Sequence, residues 1–187
     1  MKISKLFLLF ITIIIISSCA NIKLRIIKEE NHNLFIPIII SPINKFGVAG
    51  GTEQSTKIIG ASWFYTWSSA NNAQSVEFVP MIWDETHIND EIISNSDYIL
   101  GFNEPDSSGQ ANISPVEAAK YWKIIEEKYS NKKLISPAVS HLHKEWLLEF
   151  RDSYYNLYNE YPRLDGIAFH CYLPSANECI NLGKYFI

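Results

Sequence analysis

Asn103 and Glu104 are the residues of this chain best placed to do chemistry. They close the stretch Asp97-Tyr98-Ile99-Leu100-Gly101-Phe102-Asn103-Glu104-Pro105-Asp106, where a short apolar run typical of a fully buried parallel strand breaks abruptly into polar residues. In an α/β barrel, a carboxylate at the carboxyl end of such a strand lies on the face where catalytic groups gather. Pro105 has no amide hydrogen for a sheet ladder and fixes its own φ, so the strand is expected to end at Glu104. Taken alone, Asn-Glu-Pro is as consistent with a surface loop whose glutamate is merely solvated. The placement of the other polar and aromatic residues decides between the two.

Six apolar segments read as strands that would position such a rim. They are residues 45–51 (KFGVAGG), 56–62 (TKIIGAS) running into the aromatics of 63–67, 76–83 (VEFVPMIW), 98–102, 133–139 (KLISPAV) and 165–169 (DGIAF). Between them lie expected helices. A short one spans 85–93, with Ile88, Ile92 and Ile93 on one side. Ser114-Pro115-Val116-Glu117 has the form of a capping box with proline at the first helical position, and opens a helix to about Tyr129 in which Trp122 is a core residue. A third helix runs over about 144–161, where Pro162 stops it, and residues 175–187 begin another. Strands alternating with helices imply parallel βα units. Trp67, Trp83 with Asp84, Asn103 with Glu104, His141, and His170 with Tyr172 each fall just after the apolar part of an expected strand. In a barrel those positions share one rim, whereas purely structural residues would scatter over both ends.

At 187 residues, 47% hydrophobic and 13% aromatic, the chain can bury a sizeable core as one domain. A net charge of -4 leaves no basic footprint, so nucleic acid is not an expected partner and a neutral polar ligand is. Residues 1–18 read as a signal peptide, with Lys2 and Lys5 ahead of an apolar run. Ile16-Ser17-Ser18-Cys19 resembles a bacterial lipobox in which Cys19 takes the lipid, so export is expected, with a membrane anchor at the cell surface or else secretion. Residues 19–45 read as a tether, leaving 46–187 as the domain. A bridge between Cys171 and Cys179 is compatible with an exported chain, but spacing alone does not establish its geometry, so they are treated as unpaired by default. His141, His143 and Glu145 match no strong metal-binding pattern, so neither metal nor cofactor is expected.

An aromatic rim around a carboxylate suits carbohydrate, since sugars offer apolar C–H faces to rings and hydroxyls to polar groups. Glycoside hydrolysis needs two carboxyl groups, one to protonate the leaving oxygen and one as nucleophile or base. Glu104 suits the first role, and Asn103 can bind a ring hydroxyl beside the reacting carbon. SWFYTW (62–67), VPMIW (79–83), LGFNEPD (100–106) with Gln110-Ala111-Asn112 and Ser114-Pro115, LISPAV (134–139), WLLEF (146–150) and DGIAFHCY (165–172) together resemble glycoside hydrolase family 128. This is the alkali-sensitive linkage protein type of glycosyl hydrolase catalytic domain. The resemblance implies a (β/α)₈ TIM barrel of clan A that acts on β-1,3-glucan with retention of configuration. It puts Glu104 at the acid/base position, Asn103 at the sugar-hydroxyl partner, and Trp67, Trp83, His170 and Tyr172 along the cleft.

The family's nucleophile is a glutamate at the end of the seventh strand. About the first six βα units are expected here, without the nucleophile strand, since a complete barrel takes roughly 250 residues. Asp84 beside Trp83 and Glu178 in the last helical stretch are poor substitutes, because a retaining partner must sit about 5 Å from Glu104 across the sugar. A glucan-binding surface lipoprotein without catalysis, or an inactive truncated remnant, are the alternatives to a hydrolase.

Overall fold

The computed structural model describes residues 46–141, 143 and 145–185. The expected signal peptide 1–18, the lipobox Cys19 and the tether 19–45 lie outside the described residues.

Short parallel strands follow one another in chain order. β1 (Gly47–Ala49) pairs with β2 (Trp63–Tyr65), and β2 with β3 (Glu77–Phe78). Beyond β3 the chain runs on beside β4 (Tyr98–Leu100) through a Met81–Leu100 bridge, with Ile82 N donating to Leu100 O at 2.9 Å. β4 pairs with β5 (Lys133–Ile135), while β6 (Val139–Ser140) pairs with β7 (Phe169–His170). β5 and β6 are two parts of the single strand expected over 133–139. Pro137 divides them because it has no amide hydrogen to give the ladder. Gly101 answers that crossing, since a Cβ there would lie 2.8 Å from both Pro137 N and the Trp122 ring.

Two expected elements are corrected. Residues 56–58 are not strand but the end of α1 (Glu53–Ile58), because Thr52 and Ser55 close a reciprocal capping box that starts a helix just upstream. Strand pairing begins only at Trp63. The helix expected over 85–93 is a single 3-10 turn, Glu85–His87, capped by Asp84, although Ile88 is still buried as its pattern required. α2 (Pro115–Lys128) starts where expected, with Ser114 Oγ accepting from Glu117 N at 3.3 Å. Only that half of the capping box forms, because the Glu117 carboxylate takes the Ser114 hydroxyl at 2.7 Å instead of the Ser114 amide.

α2 packs on α3 (Glu145–Tyr158), and the core lies between this pair and the strands. Trp122 is at its centre, 1% exposed, edge-on to Phe102 and Phe150, with its indole N–H donating to Arg163 O. α4 (Ala176–Lys184) is capped by Ser175 and buries none of its residues. A disulfide joins Cys171 to Cys179, contrary to the expectation of unpaired cysteines. The turn at Ser175 sends α4 back over the end of β7, bringing the two Cα atoms to 5.7 Å, a separation that a disulfide spans.

Candidate active site

The backbone presents Asn103 and Glu104 by donating from successive amides to opposite neighbours. Asn103 N reaches Trp83 O and Glu104 N reaches Ala138 O, both at 2.9 Å. Glu104 then takes a left-handed φ of 41°, a conformation that costs a residue with a Cβ about 1–3 kcal/mol and persists only where its surroundings enforce it. Pro105 follows, which disfavours the ordinary helical alternative at Glu104. The loop beyond returns to the site, with Ala111 N donating to Asn103 O and Ile113 N to Pro105 O.

Two donors converge on one oxygen of the glutamate. The Tyr172 hydroxyl donates to Glu104 Oε1 at 2.6 Å, and His170 Nδ1 lies 2.7 Å from the same atom. No described side chain bonds Oε2. Most of Tyr172 is exposed, but its hydroxyl end is partly buried on Glu104. Burial, then the hydrogen bond to Glu104 and its charge, push the Tyr172 phenol up to about 12. Burial and the charge of Glu104 raise the Tyr65 phenol as well. Both phenols therefore remain protonated donors at neutral pH.

Asn103 is buried. Its Nδ2 donates to Gln110 Oε1 at 2.9 Å, and its Oδ1 is buried with no partner among the described residues. A buried acceptor left open costs about 1–3 kcal/mol, which a ligand hydroxyl would recover. Trp67, itself in a left-handed backbone conformation, stands edge-on to Tyr65 at 5.2 Å and is 44% exposed.

These groups line a cleft of about 560 Å³. All six residues assigned to the site from sequence are in its wall: Glu104, Asn103, Trp67, Trp83, His170 and Tyr172. Tyr65, Gln110 and Cys171 were not assigned there and also line it. Tyr65 was legible in principle, standing at the end of a strand whose alternate residue Phe64 is buried. The other rim candidates have different employment. Asp84 caps the 3-10 turn, accepting from Thr86 N at 2.9 Å and lying 2.5 Å from His87 Nδ1. His141 sets its ring edge against Tyr172 and is not in the cleft wall. Glu178 takes the Ser175 hydroxyl at the start of α4. His143 turns to Asp106 Oδ2 at 3.2 Å, and among the described residues no group of three His, Cys, Asp or Glu could hold a metal ion. Among the described residues, Glu104 is the one carboxylate in the wall of this cleft.

Residues 46–185 match the profile of the family described as glycosyl hydrolase catalytic core. Alkali-sensitive linkage protein 1 of Schizosaccharomyces pombe is 29% identical over 124 residues, which are 60% of this chain and 22% of that protein. The crystal structure of a GH128 (subgroup I) endo-β-1,3-glucanase from Amycolatopsis mediterranei, in complex with laminaritriose, is similar at 28% identity and a TM-score of 0.58, covering 75% of this chain and 62% of that one. A GH128 (subgroup III) curdlan-specific exo-β-1,3-glucanase from Blastomyces gilchristii, in complex with glucose, is 29% identical with a TM-score of 0.57, covering 75% and 70%. The chain thus spans less than a quarter of the yeast protein and less than two thirds of the bacterial enzyme.

Proposed function

Because the chain belongs to the glycosyl hydrolase catalytic core family, as a catalytic domain of the family 128 type, we propose that it is a β-1,3-glucan hydrolase core in which Glu104 is the acid/base. The observation that carries this reading is the Glu104 carboxylate, held by two donors on Oε1 inside an aromatic cleft. The scaffold belonging to it is part of a (β/α)₈ barrel, consistent with strands that are parallel and adjacent in chain order.

Protonating a glycosidic oxygen requires a carboxyl group that is fixed in space yet keeps one oxygen free. His170 and Tyr172 fix Oε1, so Oε2 is the atom that exchanges the proton with the leaving group. Asn103 Oδ1 accepts from a hydroxyl of the sugar at the reacting centre. Trp67, Trp83 and Tyr65 offer ring faces and edges to the sugar C–H groups. Retention also needs a second carboxylate about 5 Å away. The described cleft wall supplies the acid, and the nucleophile in this reading stands on a further strand of the barrel. Export through residues 1–18, with lipid attachment at Cys19 or else secretion, would bring the domain to extracellular β-glucan; mass spectrometry of the exported protein tests that.

Calorimetric titration of the chain with laminaritriose and with the β-1,4-linked cellotriose tests the ligand. Preference for the β-1,3-linked sugar is expected, with Trp67→Ala weakening it about tenfold, equivalent to about 1.4 kcal/mol. Equal or no binding of the two would sink the assignment. Any hydrolysis of β-1,3-glucan should vanish in Glu104→Gln, and hydrolysis indifferent to that change would remove Glu104 from the mechanism. A glucan-binding surface protein is the second reading, favoured by the single carboxylate that the described residues place in the wall. Binding without hydrolysis, intact in Glu104→Gln, would select it.

A further inference from the structure

Asp106 lies two residues beyond Glu104, and its side chain is only 1% exposed. A buried carboxylate is costly unless it is well bonded. Its partners come almost wholly from one residue of β6. Oδ1 accepts Ser140 N at 3.0 Å, and Oδ2 accepts the Ser140 hydroxyl at 2.5 Å and lies 3.2 Å from Ser140 N and from His143 Nδ1. Ser140 is in register with His170 on β7, and His170 Nδ1 is 2.7 Å from Glu104 Oε1. The contacts therefore close a ring. From the Glu104 backbone it passes through Pro105 to Asp106, across to Ser140, over to His170, and back to the Glu104 carboxylate. Ala138 O, just ahead of β6, holds the Glu104 amide. Residues 138–140 thus hold the Glu104 amide on one side and the Asp106 side chain on the other and, through the register partner of Ser140, the Glu104 carboxylate too. A left-handed φ of 41° needs enforcement of this kind.

We infer that Asp106 is a positioning residue for Glu104: by binding Ser140, it holds Glu104 in its left-handed turn with the carboxylate against His170 and Tyr172. The functional consequence rests on the acid/base role proposed above, whereas the geometric claim does not. Asp106→Ala leaves the Ser140 amide and hydroxyl without their acceptor, frees the turn after Pro105, and lets the Glu104 carboxylate leave Tyr172. Asp106→Asn is the conservative rescue. Its amide oxygen still accepts from Ser140 N, and the Ser140 hydroxyl can rotate to accept from the amide nitrogen.

The test follows the alkaline titration of Tyr172 in the full chain, isolated as the difference between each protein and its Tyr172→Phe counterpart. The charge of Asp106 itself helps to raise that phenol and is lost in both variants, so the midpoint should fall from about 12 by that shared amount in each and clearly further in Asp106→Ala than in Asp106→Asn. Laminaritriose affinity should fall about tenfold in the first variant and be restored in the second, a loss of about 1.4 kcal/mol. A folded Asp106→Ala whose Tyr172 midpoint falls no further than that of Asp106→Asn would overturn the inference. Should Asp106→Ala fail to fold, Ser140→Ala takes its place, because it deletes the 2.5 Å hydroxyl bond and keeps the amide. A partial fall of the midpoint then supports the role, and an unmoved midpoint ends it. If the parent protein binds no laminaritriose, the functional proposal fails while the titration still decides the case of Asp106.

Discussion

Reducing the Cys171–Cys179 bridge should loosen one corner of the protein and leave the rest in place. The bridge closes a loop with a sequence separation of 8, for which chain entropy predicts a stabilisation of about 2.5 kcal/mol. What it stabilises is local. α4 has nine residues and none is buried, and a helix of that length is marginal in water unless packing holds it. The core around Trp122 is built from the strands, α2 and α3, and α4 contributes nothing to it. Opening the bridge should therefore make the amides of α4 exchange roughly 50- to 100-fold faster, the factor that about 2.5 kcal/mol represents. Amides of α2 and α3 should keep their protection. Hydrogen exchange of the oxidised protein, and of the protein treated with a dithiol until thiol titration shows the bridge open, provides the assay. Because Cys171 stands between His170 and Tyr172 in the cleft wall, laminaritriose affinity should decline in parallel. Unchanged protection of α4 with the bridge open would refute the reasoning. An equal loss throughout α2 and α3 would refute it in the other direction, by making the bridge a support of the whole fold.

Trp122→Ala should cost about 3–5 kcal/mol in chemical denaturation, because it empties a site between Phe102 and Phe150 and strands the Arg163 carbonyl; a loss below about 1 kcal/mol would show that the core collapses around the gap. Gly101→Ala should destabilise by about 1–3 kcal/mol and lower laminaritriose affinity, since the new methyl meets the backbone of Pro137 directly behind the Asn103–Glu104 turn. A neutral result in thermal denaturation would mean that β4 and β5 separate easily. Bonds from Ser75, Gln74 and Lys57 lower the Glu53 carboxyl to about 2 from an ordinary 4.5. Its folded value lies below its unfolded one, so its contribution is present above about 4.5 and lost as pH falls through about 2. Melting temperatures of the parent and Glu53→Gln should accordingly differ most above pH 4.5 and converge toward pH 2, and a gap that is constant over that range would argue against this sign.

Local patterns made much of the architecture legible. The apolar run ahead of Asn-Glu-Pro marked β4, although β4 ends at Leu100 rather than at the expected Glu104, and Ser114 with Pro115 marked the start of α2, because strand burial and helix capping are short-range. Where two local signals competed, the reading of apolar residues as strand failed. Ile58 and Ile59 looked like sheet residues, yet they end a helix that Thr52 had already nucleated, and both are exposed. The division of one expected strand into β5 and β6 follows from Pro137, visible in the chain but interpretable only beside Gly101.

For the site, sequence alone supplied a set of rim candidates, of which six stand in the cleft wall while Asp84 and His141 do not. Strand ends are local features, so Trp67, Trp83, Asn103, Glu104, His170 and Tyr172 could each be placed there without knowledge of the others. Only the tertiary structure decided which atoms meet. His170 and Tyr172 bond Glu104 from 66 and 68 residues away, and both choose the same oxygen. Asp106 finds Ser140 across 34 residues, and the turn at Ser175 brings Cys179 to Cys171. Those meetings depend on strand register and on the left-handed turn at Glu104. Such long-range geometry is stabilised by the packing of the whole core, and no short window of the chain contains it.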